Sequence, residues 1–357
     1  QPGGGSGKLS HNPADEHAPP LDPTVERASA PVVQTTGSLR YARVAHATAR
    51  LVDGRVLVIG GVPPDAPAPS PSPSPSPAGP SATEIFDPAS GSFSFGAPLA
   101  ADPYRARPVA VTLRDGRVLV AGGTTLGRGG TGGPATRDTE LWSPSTERFV
   151  PAAPLGSARG HHSAILLDDG RVLVAGGFGD AGPLASAEIF DPVTARWTSA
   201  GQMSIARSFA ALARLPDGRV LIVGGGAVNL RTDRPDIFDP KTGRFSLAAE
   251  TTMRTRPAAV ALNDGRVLVA GGSNQDGVLR TAEVYDPALG TFTRVGDLAA
   301  PRASANLTVL PQGDVLVTSG DVQVLAHEIY DPLKNTFKAD VANQTLRLLG
   351  GERPGKH

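Results

Sequence analysis

One phrase is written six times along this chain: a Gly-containing turn, a Val/Leu strand, a Gly pair, then an aromatic-Asp-Pro turn. It first appears as Asp53-Gly54 leading into Val56-Leu57-Val58-Ile59 and closing at Gly60-Gly61. The turn glycine returns at Gly116, Gly170, Gly218, Gly265 and, in a degraded copy, Gly313, at intervals of 62, 54, 48, 47 and 48 residues. Self-similarity near fifty residues marks a repeat architecture, in which each unit buries its apolar face against its neighbour.

The second half of the phrase keeps its own interval. Phe86 and Phe93 stand seven residues apart, as do Trp142 and Phe149, Phe190 and Trp197, Phe238 and Phe245, Tyr285 and Phe292, and Tyr330 and Phe337. Pro fixes φ and a preceding Asp caps nearby backbone, so Asp-Pro starts a turn. The aromatics then flank a hairpin between two strands of one unit and pack between units. Of the other aromatics, Tyr41, Phe95, Tyr104, Phe178 and Phe209 remain for other work.

The run Arg-x-x-His/Ala, then Asp-Gly-Arg-Val-Leu-Val-Ala-Gly-Gly, then Ala-Glu-Ile-Phe-Asp-Pro with Phe further on, resembles the kelch repeat in its bacterial, galactose-oxidase-like branch. The resemblance covers about residues 43–341. It implies an all-β fold: a six-bladed kelch-type β-propeller with four-stranded antiparallel blades around a central channel. The propeller is expected over residues 31–345, after an N-terminal tether (1–30) and before a C-terminal tail (346–357). Residues 62–81 form a Pro/Ser loop inserted in the first blade, and Ala66–Pro80 read as a polyproline-II arm. Val32–Thr36 are expected to supply an outer strand to the last blade, beside Tyr330 and Phe337, which joins the chain ends.

Net charge is zero, with 34 basic and 34 acidic residues, so the molecule is not built to seek nucleic acid. No apolar run is long enough to span a bilayer as a helix. Cysteine is absent, which removes disulfides, thiolate metal sites and Cys nucleophiles. Gln1–Gly7 resemble the spacer after the lipidated Cys of a bacterial lipoprotein, which leaves two readings open: a lipid anchor upstream, or a secreted chain without one. An Arg-rich, Lys-poor composition suits a high-GC bacterial source. The expected location is extracytoplasmic: secreted, periplasmic or as an outer-membrane lipoprotein.

Within a blade, with strands A to D from channel to rim, antiparallel order sorts the loops. The A–B and C–D turns share one face and are short and repetitive. The B–C and D–A loops share the other and carry the variable segments, where function on a rigid scaffold concentrates. On that second face an Arg opens each strand A: Arg43, Arg107, Arg159, Arg207, Arg256 and Arg302. In blades two and five this Arg lies nine residues before the turn Gly, against eleven elsewhere. Six guanidinium groups at a channel mouth suit a carboxylate or phosphate. An acid also opens each strand C: Glu84, Glu140, Glu188, Asp236, Glu283 and Glu328. Pairing with these acids is the competing role for the Arg ring. Related kelch propellers use Arg at comparable positions to bind acidic partners, so the resemblance keeps the ligand role open.

The galactose-oxidase likeness brings copper-radical chemistry to mind, but that chemistry needs a Cys joined to Tyr, and this chain has none. His46, His161 and His162 fall on blades that are not neighbours, so no metal and no cofactor is expected. No nucleophile elbow, P-loop or dinucleotide fingerprint is present. The expected function is a non-catalytic, monomeric binding module that presents its loop-rich, Arg-containing face to a protein or glycan, without nucleic acid. The alternative is a sugar-acid isomerase or mutarotase-like enzyme that uses the Arg-lined channel mouth.

Overall fold

The computed structural model describes residues 38–62, 83–102, 105–126, 132–227, 230–231, 233–320 and 327–339. Within them are six four-stranded antiparallel sheets arranged as a ring of blades, and no helix. Blade 1 comprises Ala47–Arg50, Val56–Ile59, Thr83–Asp87 and Ser92–Phe95. Blade 3 comprises Ser163–Leu166, Val172–Ala175, Ser186–Asp191 and Arg196–Gln202. Blade 6 comprises Asn306–Val309, Val315–Thr318, Glu328–Asp331 and Thr336–Ala339. Blades 2, 4 and 5 repeat the same order. The six-bladed all-β architecture read from the repeat is therefore the fold.

Among the described residues, the four strands of each blade come from one stretch of chain, and the outermost in the last blade is Thr336–Ala339. Val32–Thr36, the tether, the Pro/Ser arm and the C-terminal tail lie outside the described residues.

The Val-Leu-Val-Ala run of strand B has no polar alternation because both its faces are covered. In blade 3, Leu173 and Ala175 pack forward against Val220 and Ile222 of blade 4. Val172 packs backward against Leu119 and Leu141 of blade 2. The six aromatic pairs are cross-strand partners between strands C and D. Five of them bring ring centroids 4.8 to 5.1 Å apart, tilted rather than stacked face to face. The strand-C member also reaches the preceding blade. Trp142 joins the core of blade 1, and Phe238 that of blade 3.

The Gly pair after strand B is the point of closest approach between blades. A Cβ on Gly176 would strike the carbonyl of Arg207 in blade 4, well inside van der Waals contact, and its φ is +65°. Gly177 donates its N–H to that same carbonyl at 2.7 Å. Gly176→Ala should therefore cost more than about 2 kcal/mol by denaturant titration, since neither blade backbone can move aside. Gly182→Ala is the control, with φ +119° but open space around it, and should cost no more than about 1 kcal/mol.

Candidate functional site

The residue eleven before each turn glycine is Arg in all six blades: Arg43, Arg105, Arg159, Arg207, Arg254 and Arg302. Each meets the acid that opens strand C of its own blade. The N–O distances are 2.7 Å for Arg43–Glu84, 2.6 Å for Arg105–Glu140 and 2.7 Å for Arg159–Glu188. They are 2.7 Å for Arg207–Asp236, 2.6 Å for Arg254–Glu283 and 2.9 Å for Arg302–Glu328. The guanidinium groups are sealed from solvent, with side-chain exposure of 5% at Arg43 and 0% at the other five.

Both partners are also tied to backbone. Glu188 accepts from the Gly156 and Ser157 N–H groups of the loop entering blade 3. Arg159 donates to the carbonyls of Gly176 and Ser186. Burial lowers the Arg159, Arg207 and Arg254 pKa values, and the paired carboxylate opposes the shift in each.

This geometry corrects the sequence reading of the ring at two positions. Arg107 and Arg256 are not members of the paired set. The ring residues of blades two and five are Arg105 and Arg254, two residues earlier. Spacing to the turn glycine is constant at eleven once they are used, and that constancy was the available signal. Arg43, Arg159, Arg207 and Arg302 are where strand order put them, but their charged ends lie inside the blades rather than at the mouth.

Arg107 and Arg256 belong to a second sixfold set. Two residues after each buried Arg stand Ala45, Arg107, His161, Phe209, Arg256 and Ser304, with φ between 52° and 58°. Six non-glycine residues in the left-handed region form one ring, a conformation rare for residues with a Cβ and concentrated at functional sites. They line a cavity of about 290 Å³ on the B–C and D–A face, together with His46, His162 and neighbouring residues. The exposed Arg107 and Arg256 hold their guanidinium carbons 5.7 and 5.1 Å from the Phe209 ring centroid. His161 packs on the same ring at 4.4 Å. Among the described residues, no Asp or Glu lines this cavity. The molecule is neutral overall, and two arginines, Arg107 and Arg256, line its mouth.

The imidazoles here are held neutral. Burial first, then the Arg107 and Arg256 charges, push His161 down to about 4. Burial, then Arg159, push His162 down to about 3. Burial and Arg43 lower His46. The Nδ1 of His161 has no hydrogen-bond partner among the described residues.

The Kelch motif profile matches residues 159–204 and 254–299, and the two matches open on Arg159 and Arg254. No curated protein matches the sequence. Among solved structures, the chain is similar to YjhT, with a TM-score of 0.62 and 16% identity over 84% of this chain and 98% of that one. It is also similar to a fungal alcohol oxidase of the AA5 family in complex with copper, with a TM-score of 0.64 and 18% identity. That match covers 85% of this chain and 66% of the oxidase. The chain is a six-bladed β-propeller in which two repeats match the Kelch motif.

The oxidase's copper does not carry over. The donors at this mouth are three imidazoles, two of them adjacent in sequence, and no cluster of three metal-binding side chains occurs among the described residues. With no Cys in the chain, the residues do not fit a copper-radical centre.

Two outcomes test the assignment. Removing Arg254 leaves Glu283 buried without its charge partner, so Arg254→Met should cost about 3 kcal/mol or more. Arg256→Ala, two residues away, should stay within about 0.5 kcal/mol. Denaturant titration of both variants separates the two rings.

The imidazoles set an acid limit. Their folded pKa values lie below the ordinary 6.5, so the unfolded chain takes up protons first as pH falls. Stability is complete above about pH 6.5 and falls with acidification, down to about pH 4 for His161 and pH 3 for His162. His161→Gln should flatten part of this slope when melting temperature is followed from neutral to acid pH. An unchanged slope would mean that His161 does not titrate there.

Proposed function

We propose that this propeller is a non-catalytic binding module that takes an acidic protein or glycan at its channel mouth. One observation carries the reading. The repeat places six non-glycine residues in the left-handed region around the axis, and these turn Arg107, Arg256, His161 and Phe209 into one cavity that no carboxylate lines among the described residues. Strain of this kind persists where the surrounding structure enforces it, and here backbone bonds from Arg107 to Ala45, Phe209 to His161 and Arg256 to Phe209 do so. Two guanidinium groups present planar donor forks to a carboxylate. Phe209 offers an apolar ring face to the carbon skeleton beside it.

Binding of citrate and of a uronic acid, measured by calorimetry at low ionic strength, tests this. Arg107→Ala with Arg256→Ala should weaken binding at least tenfold, about 1.4 kcal/mol. Salt should weaken it in the parent, since both charges are exposed. Unchanged affinity in the double variant would move the site elsewhere.

A second reading has its own observation. His161 is a neutral imidazole with a partnerless Nδ1 between two cations, and such a group suits proton transfer on a bound sugar acid. Exchange-NMR rates for a uronic acid that rise with the parent and fall with His161→Gln, at equal affinity, would favour the isomerase over the binding module.

A further inference from the structure

Five of the six seams between blades are fastened in the same way, and the sixth is not. At each fastened seam the first glycine after strand B leaves room for the next blade's buried-Arg carbonyl. That oxygen stands within 2.6 Å of where a Cβ would lie at Gly60, Gly122, Gly176, Gly224 and Gly271. The following glycine donates its N–H to the same carbonyl at 2.7 to 3.0 Å. In blade 6 the first position is Ser319, with φ 63°. Its Cβ occupies the space that the other seams require to be empty. Among the described residues, the Gly320 N–H reaches no carbonyl of blade 1.

A second fastener is also altered. In four of the five blades that carry it, the Arg of Asp-Gly-Arg reaches forward to the C–D turn of the next blade, whereas Arg219 of blade 4 pairs with its own Asp217. Arg117 donates to the Pro192 carbonyl at 2.9 Å, Arg171 to that of Pro240 at 3.2 Å and Arg266 to that of Pro332 at 3.1 Å. Arg55 pairs with Glu147 at 2.7 Å. In blade 6 this position is Asp314, which has no N–H to donate.

The apolar faces are nevertheless kept. Leu316 occupies the strand-B position that is fully buried as Leu57, Leu119, Leu173, Leu221 and Leu268 in the other blades, yet it is only half-buried. On the opposite side, Phe86 is half-buried where Trp142, Phe190, Phe238, Tyr285 and Tyr330 are buried. Buried clusters join blades 1 and 2, 2 and 3, 3 and 4, 4 and 5, and 5 and 6. None among the described residues joins 6 to 1.

We propose that the ring is a clasp: the seam between blade 6 and blade 1 opens and closes while the other five stay shut. Leu316 and Phe86 favour closure, and Ser319 and Asp314 prevent it from locking. The seam ends at the cavity described above, which takes Ala45 and His46 from blade 1 and Ser304 from blade 6. Opening therefore changes the width of the mouth. The proposal concerns the unliganded ring and does not depend on what binds there.

Hydrogen exchange on the full chain tests it. Local opening sets exchange rates, so the strands Ala47–Arg50, Val56–Ile59, Asn306–Val309 and Val315–Thr318 should exchange on the order of tenfold faster than their counterparts in blades 3 and 4. Replacing the two altered fasteners together, Asp314→Arg with Ser319→Gly, should slow exchange in both blades and raise the melting temperature. The reverse exchange, Arg171→Asp with Gly176→Ser, should move fast exchange to the seam between blades 3 and 4. Uniform protection across all six blades in the parent would overturn the clasp, even if the variants failed to fold. So would a parent-like exchange pattern in the folded Asp314→Arg, Ser319→Gly variant.

Discussion

A buried guanidinium–carboxylate pair, repeated once per blade, is the interaction from which the rest of the ring takes its geometry. An ion pair taken out of water is not by itself a strong stabiliser, because desolvation of both charges offsets their attraction. These pairs differ from a bare pair in what else they hold. Glu188 accepts two loop N–H groups, and Arg159 donates to the carbonyls of Gly176 and Ser186, the second of which also accepts from the Gly176 N–H. One pair thus joins the incoming loop, the end of strand B and the start of strand C. Each blade is set at its inner end by charge-assisted bonds and at its outer end by an aromatic pair.

That arrangement explains which parts of the molecule were legible in the sequence. Strand B was legible because burial on both faces removes the polar alternation, leaving an unbroken apolar run between a turn and a Gly pair. The C–D hairpin was legible because a seven-residue interval makes two aromatics cross-strand partners. The Arg–acid set was legible in four blades. In blades two and five, Arg-x-Arg sequences offered two candidates, and residue type alone does not separate a side chain pointing into the blade from one pointing to the axis. Arg105 and Arg107 are two apart, which in an extended strand would place them on the same side. The left-handed φ of 52° at Arg107 breaks that periodicity and sends the two guanidiniums to different places. A single-residue backbone reversal carries little compositional mark when the residue is Arg, His, Phe or Ser rather than Gly or Asn.

The cavity at the mouth is lined not by the buried arginines but by the residues two positions after them. The residue two after the buried Arg is held by its neighbours around the axis: Arg107 donates its N–H to the Ala45 carbonyl, Phe209 to His161, Arg256 to Phe209 and Ser304 to Arg256. Because the constraint is structural, the residue at the constrained position is free to vary: Ala45, Arg107, His161, Phe209, Arg256 and Ser304 share a backbone and nothing else. Identity at these six positions sets the chemistry of the cavity without altering the blades. In this chain the choice produces two cations and an aromatic ring with a neutral imidazole against it.

Symmetry sharpens the meaning of departures from it. A six-fold repeat supplies five internal controls for every position, so Ser319 is measured against five glycines whose missing Cβ admits a neighbouring carbonyl. Asp314 is likewise measured against five arginines. Loss of apolar residues on the same faces would indicate a blade edge meant for water, but Leu316, Val56 and Phe86 are retained. Apolar attraction is non-directional and tolerates a range of separations, whereas the Gly–carbonyl fit and the Arg–carbonyl bond do not. A seam that keeps the first and gives up the second retains cohesion and loses its unique register. In a closed ring, slack at one joint is enough to let the whole circle change its inner diameter.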